Sequence, residues 1–341
     1  MQLNNNKQSS KNQMEILKDT DKKGKQRPWR ENKLKTLALA ESYKRLGMKK
    51  SYRVSECGTY LEYKRYLEDN SLKLHRANFC KVRLCPMCSW RRSKKIYGQV
   101  SKVMDKALED KEYRFLFLTL TCRNVEGEEL SETLDDLFQA FKLLTKRKAF
   151  KNAVKGWFRA LEITHNIDKD SESYDTYHPH FHMILMVNKS YFDKPEIYIS
   201  HEKWTSLWKD CLGVEYTPIV HVTAFKADTK SQTSKSVAEV ATYTVKDNDY
   251  LIADNEGLTD SAVWILDTAL AGRRLVAFGG ELRKIHKALN LDDAVDGDLV
   301  HTDDEEIRED LKYVIEIYHW NIGYNQGQYV KWGVKYYDDE C

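Results

Sequence analysis

No run of apolar residues in this 341-residue sequence comes near the ~18 that a membrane-spanning helix requires, which excludes a chain that crosses a bilayer by helices. A charged-then-apolar secretory leader is missing too, because the first 33 residues are polar and Lys-rich. There is no internal repeat, so solenoid and propeller architectures drop out. Cysteine is sparse, at seven residues, and with no export signal read in the sequence its expected setting is a reducing cytosol. Clustered thiols there mean metal or catalysis more often than disulfides. Net charge is also small, at +3, but that balance hides an asymmetry. Residues 1–50 carry 14 Lys plus Arg against 5 Asp plus Glu, leaving +9, and residues 292–310 carry ten acids against one Arg, leaving −9. Such ends fit a basic arm that tracks phosphates and an acidic segment that repels DNA or covers a basic surface. Two solvated tails fit the same composition.

What the chain does have is core-forming material: 41% of residues are hydrophobic and 11% aromatic, which rules out general disorder. Residues 1–30 lack periodicity and read as a flexible basic leader, followed by a short helix over 31–46. Residues 51–95 hold four of the seven cysteines, and Ile96, Val100, Val103 and Leu108 then recur near helical spacing. Residues 113–121 are β-branched and aromatic enough for a buried strand, 130–150 read as a helix, and 158–164 as a second strand. A polar loop over 166–177 leads into a third strand, giving an antiparallel pair. A fourth strand is expected near 218–222, a helix over 236–245, and a strand or strand–turn over 273–280. This order predicts an α+β fold built on an antiparallel sheet with helices on one face. The expected organisation is a leader and short helix over 1–50, a cysteine-bearing basic subdomain over 51–110, the main α+β domain over 111–285, and an acidic segment over 286–341.

The chemistry is concentrated in His178-Pro179-His180-Phe181-His182, followed by the apolar run 183–187. A strand sends residues i and i+2 to one face, so His180 and His182 project together while Phe181 turns into the core. Two imidazoles on a rigid face are half a site for a divalent cation. Pro179 cannot donate to a ladder, so His178 marks the strand's start and is a neighbour of the ligands. Glu162, between Leu161 and Ile163 on the preceding strand, is the candidate oxygen ligand; it could equally face solvent on a half-exposed strand.

Glu239 and Tyr243 lie four apart on the expected helix, so a carboxylate can reach a phenol or a water beside it. A phenol with pKa ~10 needs a metal, a base or a positive field to act as a nucleophile at neutral pH, and Lys246 offers a positive charge three residues on. Glu239 also completes a capping box with Ser236, and with 20 tyrosines such a pair could be accidental. Cys80, Cys85 and Cys88 put three thiols within nine residues, with Cys57 or His75 as the fourth ligand of a structural zinc site. A redox Cys-x-x-Cys is the rival reading. Arg91, Arg92, Lys94 and Lys95 follow at once and suggest a phosphate-gripping helix start, or a solvated charge cluster.

In this order, the set resembles the HUH endonucleases, and within them the replication initiators of small rolling-circle plasmids of Gram-positive bacteria. The resemblance runs from about residue 57 to 282. It rests on the sequence from Cys80 through Cys88 with Arg91-Arg92, on Phe117-Leu-Thr-Leu-Thr121, on Ala160-Leu-Glu-Ile-Thr-His165, on the histidine motif, and on Glu239-Val-Ala-Thr-Tyr-Thr-Val-Lys246. It implies an HUH/ferredoxin-like palm with a small zinc-binding subdomain, in a bacterial cytoplasmic enzyme that nicks and rejoins DNA. By the same resemblance His180 and His182, with Glu162 as a weaker carry-over, bind Mg²⁺ or Mn²⁺. Tyr243 attacks a phosphodiester of single-stranded DNA at a replication origin to give a 5′-phosphotyrosyl link, and Glu239 activates the water that ends a round. DNA is the implied partner; a host helicase and a second copy in a homodimer are the protein partners to test. The competing readings are an HUH transposase or relaxase, and a non-catalytic zinc- and DNA-binding regulator whose histidines are structural.

Overall fold

The computed structural model describes residues 14–110, 112–224, 237, 245–302 and 311–336. The chain opens with α1 (Trp29–Arg45) and α2 (Ser51–Ser55), then the hairpin β1 (Tyr60–Tyr66) and β2 (Leu72–Ala77), then the long α3 (Pro86–Leu108). Next come β3 (Tyr113–Thr121), α4 (Leu130–Leu144), α5 (Lys148–Ala153), and the 13-residue strands β4 (Val154–Asn166) and β5 (Thr176–Asn188). α6 (His201–Leu212), β6 (Val220–Ala224), α7 (Glu256–Leu270), β7 (Val276–Gly279), α8 (Gly280–Ala288), β8 (Tyr313–Asn321) and β9 (Gln328–Lys335) follow among the described residues.

Two antiparallel sheets result. The larger has the order β6-β3-β5-β4-β7 and the smaller β2-β1-β8-β9. In the larger sheet β5 takes the centre because its alternating apolar positions can be buried on both sides. Phe181, Met183 and Leu185 face one helical layer, while Ile184 and Met186 face the other. The sequence pattern predicts helices on one face of the sheet, but they cover both, and of the first layer it predicts only α4. Leu130, Leu134, Leu137, Phe141 and Leu144 form a single stripe on α4, joined by Trp204 and Trp208 of α6 and by Val263 and Leu266 of α7. The opposite face carries α3, through Ile96, Val100, Val103 and Met104, and α8 through Leu282. Gly280, at φ +57 where β7 turns into α8, sits so close to the Lys155 carbonyl that a Cβ would fall 2.2 Å from it.

Three further expectations change. Residues 286–341 are not one acidic segment: β8 pairs with β1 and β9 with β8 to complete the smaller sheet, because apolar residues buried on its two faces, Tyr318 on one and Ile315 on the other, outweigh the nearby acids. The basic leader ends sooner than expected, since Ile16 bridges Val330, Leu17 N–H donates to Tyr329 O, and Trp29 is buried. The basic cluster is also not a surface. Arg91, Arg92 and Lys95 are each 1% exposed, because the acidic stretch folds over them. Arg91 Nε donates to Leu299 O at 2.9 Å, and Arg92 donates to Val295 O, Val82 O and Lys81 O at 2.9, 3.1 and 2.6 Å. Lys95 Nζ meets the Asp292 carboxylate at 2.5 Å and Asp298 O at 2.7 Å. These side chains cannot grip DNA without unfolding that cover; of the four basic residues, Lys94 alone remains partly exposed.

Arg92→Ala should therefore strand three interior carbonyls and lower stability by an amount on the order of 3 kcal/mol in urea denaturation. An Arg92 that served DNA instead would leave stability unchanged and weaken DNA binding alone.

Candidate metal centre

The register of three neighbouring strands builds the site. Glu162 on β4 lies opposite His180 on β5, and β3 places Thr121 and Thr119 opposite His180 and His182. Even positions of β4 and β5 and odd positions of β3 therefore share one face. At one end of that face Phe115, Phe117, Phe158, Ile184 and Met186 are covered by α3 and α8. At the other end the same face presents Glu162, His178, His180 and His182.

Glu162 Oε2 stands 2.8 Å from His182 Nε2 and 3.4 Å from His180 Nε2, and the two imidazole nitrogens are 3.2 Å apart. One donor atom from each of the three residues falls within 4.8 Å of the others, so the group could hold a metal ion. The outer ring atoms are engaged elsewhere: His180 Nδ1 lies 3.1 Å from His178 O, and His182 Nδ1 lies 3.3 Å from Thr119 Oγ1. Such contacts fix ring orientation and leave the inner nitrogen free for a ligand, as metal-binding histidines require. Two imidazole nitrogens and one carboxylate oxygen suit a divalent cation and leave coordination positions open for water or substrate.

Glu162 is 7% exposed and His180 9%. Burial by itself would raise the Glu162 carboxyl, but hydrogen bonds with His180 and His182, the charge of His182 and a hydrogen bond from Lys246 hold it well below the usual range. Lys246 Nζ reaches Glu162 Oε1 at 3.1 Å while 58% of its side chain stays exposed, so it rims the site. His178 stays outside the ligand group. Its Nδ1 meets Asn124 Oδ1 at 2.8 Å, and burial, then the neighbouring His180, push its pKa down.

Glu239 and Tyr243 lie outside the described residues. On either side of them, Val237 packs in the core beneath α3, Val245 packs in the core of the opposite layer, and Lys246 is ion-paired to Glu162. Sequence reasoning missed the support for this stretch. His165 is buried between Asp249 O and Asp175 Oδ1, each at 2.8 Å, and stacks on Tyr177 at 4.3 Å. It thereby ties the β4–β5 hairpin to the segment that carries Lys246. Burial pushes the Asp249 carboxyl up to about 6, against the charge of Lys246. A polar residue at a core-facing strand position was the available signal at His165; Asp249 offered none.

A second group joins Cys57, after α2, Cys80, after β2, and Cys85 and Cys88, at the start of α3. All four are buried, with Sγ–Sγ distances of 3.6 Å for Cys57–Cys88 and Cys57–Cys85 and 3.7 Å for Cys80–Cys88. A tetrahedron with metal–sulfur bonds of ~2.3 Å has edges of about 3.8 Å, so this spacing fits a four-thiolate metal site. Cys57 is thus the fourth member; His75, on β2, is not in the group. Lys33 Nζ donates to Ser55 O and Cys57 O beside the thiols, and burial lowers its pKa while the neighbouring cysteines raise it.

Metal analysis of Cys85→Ser should show the four-cysteine site emptied and the melting temperature lowered, since such sites contribute folding energy. At the other group, His182→Ala should weaken Mn²⁺ binding by about tenfold or more in titration calorimetry. An unchanged isotherm would dissolve the triad.

Comparison with known proteins bears on both groups. The model of a family described as "Replication protein" matches residues 71–330, a span that includes the histidine triad and three of the four clustered cysteines. A "Protein rep" of Bacillus amyloliquefaciens is 42% identical over 322 residues, covering 87% of this chain and 92% of its own. One from Streptococcus pneumoniae serotype 2 is 39% identical over 298 residues, covering 86% and 89%. Another from Lactiplantibacillus plantarum is 38% identical over 323 residues, covering 93% and 99%. No solved structure matches this chain. With a family model over most of its length and relatives aligned nearly end to end, the chain belongs to the Rep replication protein family.

Proposed function

We propose that this chain initiates rolling-circle replication in a bacterial cytoplasm by nicking one DNA strand at a plasmid origin, through HUH chemistry. The observation that carries the reading is the position of Lys246. It contacts Glu162 of the histidine triad, and Tyr243 is three residues earlier in the chain. Three residues of extended chain span no more than about 11 Å, and this short separation in sequence supports pairing Tyr243 with the Glu162–His180–His182 group.

Glu162, His180 and His182 would hold Mg²⁺ or Mn²⁺, and Cys57, Cys80, Cys85 and Cys88 a structural Zn²⁺. When bound, the divalent cation supplies Lewis-acid polarisation of the scissile phosphate. The Tyr243 phenol gives up its proton and its oxygen forms the bond to phosphorus; the P–O3′ bond breaks, and the departing 3′ oxygen takes a proton. The products are a 5′-phosphotyrosyl link and a free 3′-OH that primes synthesis. Lys246 supplies positive charge where the phosphate gathers it, lowering the cost of ionising a phenol of pKa ~10. Glu239 takes a proton from the water that resolves the link at the end of a round.

A labelled origin oligonucleotide with Mn²⁺ tests the assignment. The chain should form a covalent adduct that Tyr243→Phe abolishes, while Glu239→Ala still nicks and attaches but releases no finished circles. Specific binding without an adduct would make the chain a regulator, and loss of the first nick in Glu239→Ala would put that carboxylate with the nucleophile or the helix.

A further inference from the structure

We propose that the outward face of the smaller sheet is a stacking platform for single-stranded DNA, separate from the histidine triad. It rests on the reading of the chain as one that acts on DNA. The inner face of this sheet is accounted for: Leu61, Tyr63, Leu74, Tyr318 and Tyr329 pack in the core with Trp29, Leu39 and Tyr43 of α1. Strand alternation sends the intervening residues outward. Register brings Tyr60 of β1 opposite His319 of β8, and a bulge in the β8–β9 ladder swings Trp332 of β9 alongside.

The three rings form a continuous row across three strands, with centroids 5.1 Å apart for Tyr60–His319 and 5.2 Å for His319–Trp332. Trp332 is 78% exposed, a large apolar surface that the fold itself does not use. The other end of the same face is packed shut: Tyr66 and Ile315 are buried, and Lys64 lies over the Tyr313 ring at 4.1 Å. The open end therefore stands out as a ligand surface and not as general exposure of an unfinished sheet.

Charge selects the occupant. Register puts Arg76 opposite Glu62 at the open end, Lys335 reaches that carboxylate at 3.0 Å from the next row, and Lys64 and Lys73 lie in the closed row beyond; among the described residues of the four strands Glu62 is the one carboxylate on this face. Arg76 also lines a hollow of about 360 Å³ beside Tyr60. Rings that can stack on bases, flanked by cations that follow a phosphate backbone, are the pairing by which sheets bind unpaired nucleic acid without reading its sequence. A duplex hides the base faces that the rings would need. In a replication protein the displaced strand beside the nick is the matching ligand.

Anisotropy of fluorescein-labelled (dT)16 across a salt series, in EDTA so that no strand is cut, tests the platform. Trp332→Ala should weaken binding by about tenfold at every salt concentration, because one base–ring stack is lost. Trp332→Phe should restore most of it, and Tyr52→Ala, an exposed aromatic on α2 away from this face, should change nothing. Arg76→Ala should instead lower the slope of log affinity against log salt by roughly one. Equal binding by Trp332→Ala, or equally effective competition by a blunt 16-base-pair duplex, would overturn the proposal. An unmutated chain that binds (dT)16 through Trp332 but forms no adduct with the origin oligonucleotide and Mn²⁺ would fail the nicking assignment and leave the platform standing.

Discussion

The pairing register of β3, β5 and β4 is the constraint on which the candidate chemistry depends. A shift of one residue on β4 would turn Glu162 into the opposite helical layer and bring Leu161 or Ile163 against the imidazoles. The register is held at the other end of the same strands. There Phe158, Ile184 and Phe117 must face α3 and α8 together or leave a void in a close-packed layer. The hydrophobic half of the sheet thus sets the geometry of the polar half. Hydrogen bonds among three histidines, a threonine and an asparagine refine side-chain positions that packing has already fixed.

A second constraint lies at right angles to the first. Arg91, Arg92 and Lys95 are buried cations, which a fold tolerates only when every donor has a partner. The acidic stretch after α8 supplies many of those partners, as carbonyls of residues 295–300 and the carboxylate of Asp292. Fourteen bases at one end and ten acids at the other thus conceal two different arrangements. Part of the basic leader joins the small sheet through backbone bonds, and part of the acidic segment joins α3 through side-chain charges.

Much of this could be read from the sequence. The strand at 113–121, the pairing of Glu162 with the histidine strand, the cysteine group and the α+β class all follow from period-2 apolar patterns, turn residues and ligand spacing, which are local properties. What could not be read is which face a charged run chooses. Arg91-Arg92-Ser93-Lys94-Lys95 has the same local pattern whether it meets water, phosphate or a returning loop 200 residues away. The β8–β9 hairpin was hidden for a related reason. It follows an acidic stretch, and its partner β1 lies more than 240 residues earlier. His165 and Asp249 are meaningful only once β4, the β4–β5 loop and the segment after Lys246 meet in space.

The long helix α3 begins at two of the four clustered cysteines and ends under the central strands that hold the histidines. The chain accordingly has no seam at residue 110. A fragment cut there to isolate a minimal catalytic core would lose the beam beneath its own sheet. A graft of the cysteine-bearing half onto another scaffold would carry away half of that core's floor. The modular parts of this protein are modular in sequence only, and any engineered or recombined version must exchange α3 together with both sheets it joins.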